Sequence, residues 1–360
     1  FIYWLLENYG NDSDASYILD NRELWFIPIV NPDGYEYNRS IAPNGGGMQR
    51  KNMRDTCGGG VDGVDPNRNY SYQWGLDNQG SSSDGCDETY RGSSPFSEPE
   101  NQAVKDFVEG KNFTIALNYH SYSDLLLYPF GYTYDNPMNQ DDLNTFIEYA
   151  QDMTQYNNYT WGTGPDILYP VNGEACDWMY GEQGIFAYTP EVGGPEDGFW
   201  PPTSRIVPLA EENLYPNIRT ALYGGSLISS VFDIGNGPYT PDVIYPIDLT
   251  LSNIGLSGSN GIINLQFSAE PGIEFYNQEI DVSDLEPRTT INLEQINEFT
   301  ISPFIPSGTE ITISLIMTLE DGSETISSTD IIIGVPEPVL EYNFESSEDI
   351  QDWNMSGDSD

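Results

Sequence analysis

The hydrophobic repeat of this chain changes once, near Gly224-Gly225, and that change limits what each part can fold into. Before it, short apolar runs alternate with stretches that repeat every three to four residues. Residues 24–30 predict a strand, stopped by the turn signal Asn31-Pro32-Asp33-Gly34. Ser97-Glu98-Pro99-Glu100 reads as a capping box with Ser97 as N-cap, and the helix behind it puts Ala103, Val104, Phe107 and Val108 on one face. Residues 113–119 predict a buried strand. Leu143, Phe146, Ile147 and Ala150 predict a second amphipathic helix, and 205–223 a third. Strands alternating with helices give an α/β unit over 1–225. After it the period is two: Ile263, Leu265 and Phe267 alternate, as do Ile311, Ile313 and Leu315, with the hairpin turn Asp321-Gly322 behind them. We therefore expect a linker over 226–246, an immunoglobulin-like all-β sandwich over 247–335 and the start of a further β module over 336–360.

Both ends read as interrupted. Phe1-Ile2-Tyr3-Trp4-Leu5-Leu6 has the character of a helix interior ending near Asn8-Tyr9-Gly10, and Asn354-Met355-Ser356-Gly357-Asp358 stops without a boundary signal. A piece of a longer protein is expected, so a missing signal peptide says nothing about location. No apolar run approaches the ~18–20 residues needed to cross a membrane as a helix. The 57 acidic residues against 12 basic ones, a formal charge of −45, repel polyanions and argue against a nucleic-acid partner. The charge suits a solvated surface in salty surroundings. Clustered carboxylates such as Asp141-Asp142 also leave calcium open as a ligand, although no loop has the EF-hand spacing.

Few residues stand out singly. Cys57 and Cys86 flank a Gly/Ser/Asn-rich stretch, and closing a loop of about 30 residues would stabilise by ~3–4 kcal/mol, but spacing alone does not separate a disulfide from two thiols. The one histidine, His120, lies just beyond a strand, where a hydrogen-bonded structural role is equally natural. Arginine is scarce, so Arg50 and the Asn67-Arg68-Asn69 loop are notable, since a guanidinium fork binds a carboxylate in bidentate fashion. A surface ion pair is the plainer role for each. Glu191 ends the apolar run 186–190, where burial can raise a carboxyl pKa into the range of a general base. Tyr169 is one of 25 tyrosines and gains meaning only from its loop, Leu168-Tyr169-Pro170-Val171-Asn172-Gly173.

Taken in order, Asn31-Pro32-Asp33-Gly34, Arg50-Lys51, Asn67-Arg68-Asn69, Glu88-Thr89-Tyr90-Arg91-Gly92, His120-Ser121-Tyr122-Ser123, Tyr169, Asp177-Trp178 and Glu191 resemble the zinc carboxypeptidases of the A, B and T types over residues 1–220. The resemblance implies a mixed twisted sheet flanked by helices, removal of C-terminal residues from peptides and proteins, one zinc ion and an extracellular location. It also implies a Cys57–Cys86 disulfide, as the digestive members carry one there. Residue by residue it implies that His120 is a zinc ligand, Arg50 holds the oxyanion, Asn67 and Arg68 grip the substrate's terminal carboxylate, Tyr169 closes over the bound residue and Glu191 is the general base. Zinc would lower the pKa of the attacking water, and Arg50 would share the developing charge. The same resemblance puts Cys176 at the base of the side-chain pocket and Glu174 near its wall. Broad specificity is expected from them, with apolar residues accepted and Lys and Arg tolerated.

One departure is large. The family's other two zinc ligands come from a His-x-x-Glu motif, and with a single histidine none can be found here; they are expected upstream of Phe1, so the chain alone should be inactive. An inactive peptide-binding relative and a cell-wall peptide amidohydrolase of the same fold are the alternatives. The sandwich carries no ligand signature, and a surface or another domain is its expected contact.

Overall fold

The computed structural model describes residues 1–58 and 62–334 and contains two compact units, one of residues 1–228, 253–259 and 285–289, the other of 229–252, 260–284 and the segment from 290 onward. In the first, four short strands form the sheet: β1 (Ile115–Leu117), β2 (Leu125–Tyr128), β3 (Thr160–Thr163) and β4 (Phe186–Glu191), in the order β1-β4-β2-β3. β1 and β4 run parallel, as do β2 and β3, while β2 and β4 are antiparallel. The sheet is therefore mixed, and its parallel pairs require helical crossovers. The helices are α1 (Ile2–Asn8), α2 (Ser13–Asn21), α3 (Pro32–Ile41), α4 (Pro99–Glu109), α5 (Gln140–Met153), α6 (Gly164–Ile167), α7 (Ala175–Gly181), α8 (Ile206–Glu212) and α9 (Leu214–Tyr223).

α5 shows how the sequence writes a helix. Asn139 caps it by accepting from the Asp142 amide at 2.9 Å, and Asp141 and Asp142 face the positive end of the helix dipole. Phe146, Tyr149, Ala150 and Met153 fall on one buried face. Phe146 stacks on Phe186 of β4 at 4.7 Å, and truncating so buried a ring to alanine would cost about 3–5 kcal/mol. Trp178 of α7, fully buried, packs against Tyr70 and Phe96 and fastens the loop around residue 70 to α7.

Some expectations for this unit's elements differ from the structure. Residues 24–30 form no strand, because no neighbouring backbone among the described residues completes a ladder with them. Trp25, Phe26, Ile27, Ile29 and Val30 stay 41–49% exposed, and Trp25 packs on Phe107 instead. The N-cap of α4 is Glu98, not Ser97. Pro99 opens that helix, and the Ser97 hydroxyl donates to the Glu98 carboxylate at 2.6 Å while accepting from Asn69. The helix expected over 205–223 breaks at Asn213, because Pro216 has no N–H for the next turn and the Asn213 side chain donates to the Leu209 carbonyl.

The second unit is all-β, a sandwich of two four-stranded sheets. One holds β5 (Ile228–Asp233), β6 (Ile244–Asn253), β10 (Thr290–Ile301) and β8 (Ile273–Phe275) in that order. The other holds β12 (Glu324–Ile332), β11 (Glu310–Thr318), β7 (Ile263–Ala269) and β9 (Glu279–Val282). Every second residue of β11 is buried, so Ile311, Ile313, Leu315 and Met317 form its core face. Gly322, at φ +83°, makes the turn into β12. β5 occupies part of the stretch expected as linker, its Ser229-Ser230 pair having hidden the apolar alternation. The further β module expected over 336–360 lies outside the described residues.

Candidate active site

A cleft of about 1150 Å³ runs beside β1 in the first unit. β4 delivers Glu191 to it. His120, three residues beyond β1, continues the parallel pairing: its amide donates to the Pro190 carbonyl, and its carbonyl accepts from Val192, both at 2.9 Å. The pairing register thus sets His120 beside Glu191 in the backbone ladder, and both line the cleft. His120 keeps part of its surface open to the cleft, while burial pushes its pKa down to about 4, with Arg50 and Arg68 opposing charge as well. It is a neutral ring, able to offer a nitrogen lone pair. Glu191 is pushed up to about 7, first by burial and then by Glu174, against the pull of Arg50 and Arg68. A carboxyl in that range exchanges protons near neutral pH.

The opposite wall is basic and is organised by one carboxylate. Asp65, 2% exposed, lies 2.7 Å from the Arg50 guanidinium as an ion pair and 3.9 Å from that of Arg68. Its other oxygen accepts from the Asn67 amide at 3.0 Å and so caps the single turn Pro66–Arg68. Arg68 is 2% exposed and gives one N–H to the Asn67 carbonyl at 2.8 Å, but its Nε has no hydrogen-bond partner. A buried unsatisfied donor on a cationic fork favours an anion at that point of the cleft. The Asn67 side-chain oxygen accepts from the Ala175 amide at 3.0 Å, tying this turn to the start of α7. Asp65 raises the Arg50 pKa, and Tyr169 adds to the rise from its loop between α6 and α7. Tyr169 is 48% exposed and lines the cleft.

The pocket residues divide. Glu174 lines the cleft, and burial raises its pKa to about 7, Arg68 pulling against it. Its carboxyl lies so close to Gly131 that a Cβ there would meet Oε1 at 2.0 Å. Glu174 shares a hydrogen bond with Asp177, whose pKa is raised well above the carboxylate range by burial and by Glu174, although Gly131 donates its amide to it at 2.8 Å. Cys176 is not among the cleft residues. Its thiol points into the core and donates to the Ala187 carbonyl at 3.1 Å, since its place on α7 faces β4. Sequence reasoning singled out Arg50, Asn67, Arg68, His120, Tyr169, Glu174 and Glu191, which all line one cleft. It did not single out Asp65, whose only signal was the Asp-Pro before Asn67.

Cys57 and Cys86 form a disulfide. Among the described residues no group of three His, Cys, Asp or Glu side chains could hold a metal ion. His120, lining the cleft, is a side chain of the type zinc takes, but these residues make no complete site. Calcium finds no support either: the Asp142 carboxylate is taken by Asn139 at 2.7 Å and Tyr180 at 2.6 Å.

Residues 1–216 match the family model described as zinc carboxypeptidase. The chain belongs to the zinc carboxypeptidase family. It is 35% identical over 213 residues to rat carboxypeptidase A1, covering 58% of this chain and 49% of that protein. It is 35% identical over 221 residues to bovine carboxypeptidase B, covering 59% and 51%. The structure of bovine thrombin-activatable fibrinolysis inhibitor in complex with tick carboxypeptidase inhibitor matches with a TM-score of 0.53 and 30% identity, over 61% of this chain and 74% of that one. The chain thus spans about half the length of these curated zinc carboxypeptidases. No helix among the described residues is long and apolar enough to cross a membrane.

Proposed function

We propose that this chain carries the substrate-binding wall and general base of a zinc metallocarboxypeptidase that removes C-terminal residues from peptides and proteins outside the cell. The observation that carries the reading is the buried Arg68 fork, with its unpartnered Nε, opening on the same cleft as Glu191 and His120. A substrate's terminal carboxylate satisfies that fork, with Asn67 beside it. Tyr169, exposed on its loop, closes over the terminal residue. Binding at that end places the last peptide bond, and no internal one, near Glu191.

Glu191 takes a proton from the attacking water as the water's oxygen bonds to the scissile carbonyl carbon. Arg50 holds the oxygen that becomes negative, through donors not facing Asp65. The carbon–nitrogen bond then breaks, and Glu191 passes its proton to the leaving amine. His120 supplies one zinc ligand. The others, a His-x-x-Glu pair, come from sequence outside these residues, and the chain alone is inactive. Glu174, beside the cleft with Asp177 behind it, accepts Lys or Arg side chains when ionised and apolar ones when it carries the proton, giving broad specificity. The Cys57–Cys86 bridge favours an oxidising compartment. We place the boundary between the two units near residue 228, with the sandwich contacting a surface or another domain.

Glu191→Gln in the full-length protein tests the assignment. The base acts in the transition state, so kcat should fall at least 100-fold while KM stays within about twofold. Wild-type kcat in this variant would remove Glu191 from the chemistry and refute the assignment.

A further inference from the structure

The turn motif Asn31-Pro32-Asp33-Gly34 has no part in the roles above, yet Asn31 lines the cleft. Its side chain works in two directions. Oδ1 accepts from the Gly34 amide at 3.0 Å and caps α3. Nδ2 donates to the main-chain carbonyls of both Arg50 and Lys51, each at 3.0 Å. The remaining motif residues serve this contact. Pro32 opens the helix, and Gly34 is needed because a Cβ there would meet Asn31 Nδ2 at 2.5 Å and the Lys51 carbonyl at 2.7 Å.

The segment around Arg50 is held from its other side as well. Lys51 is fully buried, and its Nζ donates to the carbonyls of Gly85 at 3.1 Å and Asp87 at 2.7 Å. The neighbouring Gln49 amide reaches the carbonyls of Lys51, Asn52 and Asp62. The Arg50 side chain leaves this network and reaches Asp65 at 2.7 Å. A long, 42% exposed guanidinium aims well only if its backbone is fixed.

We propose that Asn31 is a positioning residue: its amide clamps the Arg50-Lys51 main chain so that the Arg50 guanidinium stands at the developing oxyanion. The inference rests on the role assigned to Arg50 in the functional reading. In this role Asn31 acts through Arg50, with Lys51 as the second anchor.

Asn31→Asp tests it in the full-length protein. Aspartate keeps the helix cap, which it fills as well as asparagine, but loses both donors. A misplacement of about 1 Å in a catalytic group can cost 100-fold, so kcat should fall about 10- to 100-fold. Inhibition by free phenylalanine, whose carboxylate Arg68 grips, should change less than about twofold. The deciding measurement is the double-variant cycle with Arg50→Ala. The double variant should turn over within about twofold of Arg50→Ala alone, because a clamp has nothing left to position. Independent losses that multiply, or wild-type kcat in Asn31→Asp, would overturn the clamp while leaving the Arg50 role standing. Wild-type kcat in Arg50→Ala would instead overturn the functional reading. Should Asn31→Asp not fold, Lys51→Met, which cuts the other anchor, goes through the same cycle and is read by the same criteria.

Discussion

Asp65→Asn isolates the residue that gathers the basic wall. The carboxylate is 2% exposed and faces two guanidinium groups, Arg50 at 2.7 Å and Arg68 at 3.9 Å. Removing one member of a buried pair costs about 3–5 kcal/mol, because the remaining charge loses its partner without regaining water. The two arginines do not contribute equally. The Arg50 side chain is 42% exposed and rehydrates when released, so its share is small. Arg68 is enclosed, and its charge stays buried. Asparagine keeps an oxygen for the Asn67 amide, so the cap of the 66–68 turn survives. The loss should therefore lie at the lower end, about 3 kcal/mol. Urea unfolding followed by tryptophan fluorescence reads it, since Trp161 and Trp178 report on the unit that holds Asp65. At pH 7 the midpoint should drop with an unchanged slope. A loss below about 1 kcal/mol would mean that Arg68 reaches water on its own and that the buried wall described here is wrong.

Two further outcomes follow from the same charges. Burial holds Glu174 near a pKa of about 7 against an ordinary 4.5, so the folded state binds the extra proton between those values and stability falls as pH rises through them. Glu174→Gln should match wild type at pH 4 and exceed it by on the order of 1–3 kcal/mol at pH 8 in thermal unfolding; equal differences at both pH values would place Glu174 in solvent. The chain of residues 1–360 should hold zinc weakly, because His120 lacks two protein co-ligands among the described residues. Equilibrium dialysis finding one tightly held zinc per chain would show a ligand set that these residues do not supply.

Much of this site was legible in the sequence, for identifiable reasons. Arg50, Arg68 and His120 stood out by scarcity, with 12 basic residues and one histidine in 360. Asp65 could not stand out among 57 acidic residues; only the fold brings it against two arginines. Cys176 was misplaced because spacing from Tyr169 gives a position along the chain, whereas the turn of α7 decides which side chain faces β4 and which faces the cleft. The run 24–30 carries strand residues, but strand formation depends on a neighbour's hydrogen bonds, which no local pattern records. The alternation of 311–317 was easy to read because burial on one face repeats with the pleat itself.

The central claim is that the cleft recognises a free C-terminus through Arg68 and Asn67. Its most direct test incubates the full-length protein with two peptides of one sequence, one ending in a free acid and the other in an amide, and follows both by mass spectrometry. The free acid should shorten one residue at a time from its C-terminus while the amide persists at least 100-fold longer, since the buried guanidinium then meets no charge. Equal rates for the two peptides, or cleavage at an internal bond, would contradict the account.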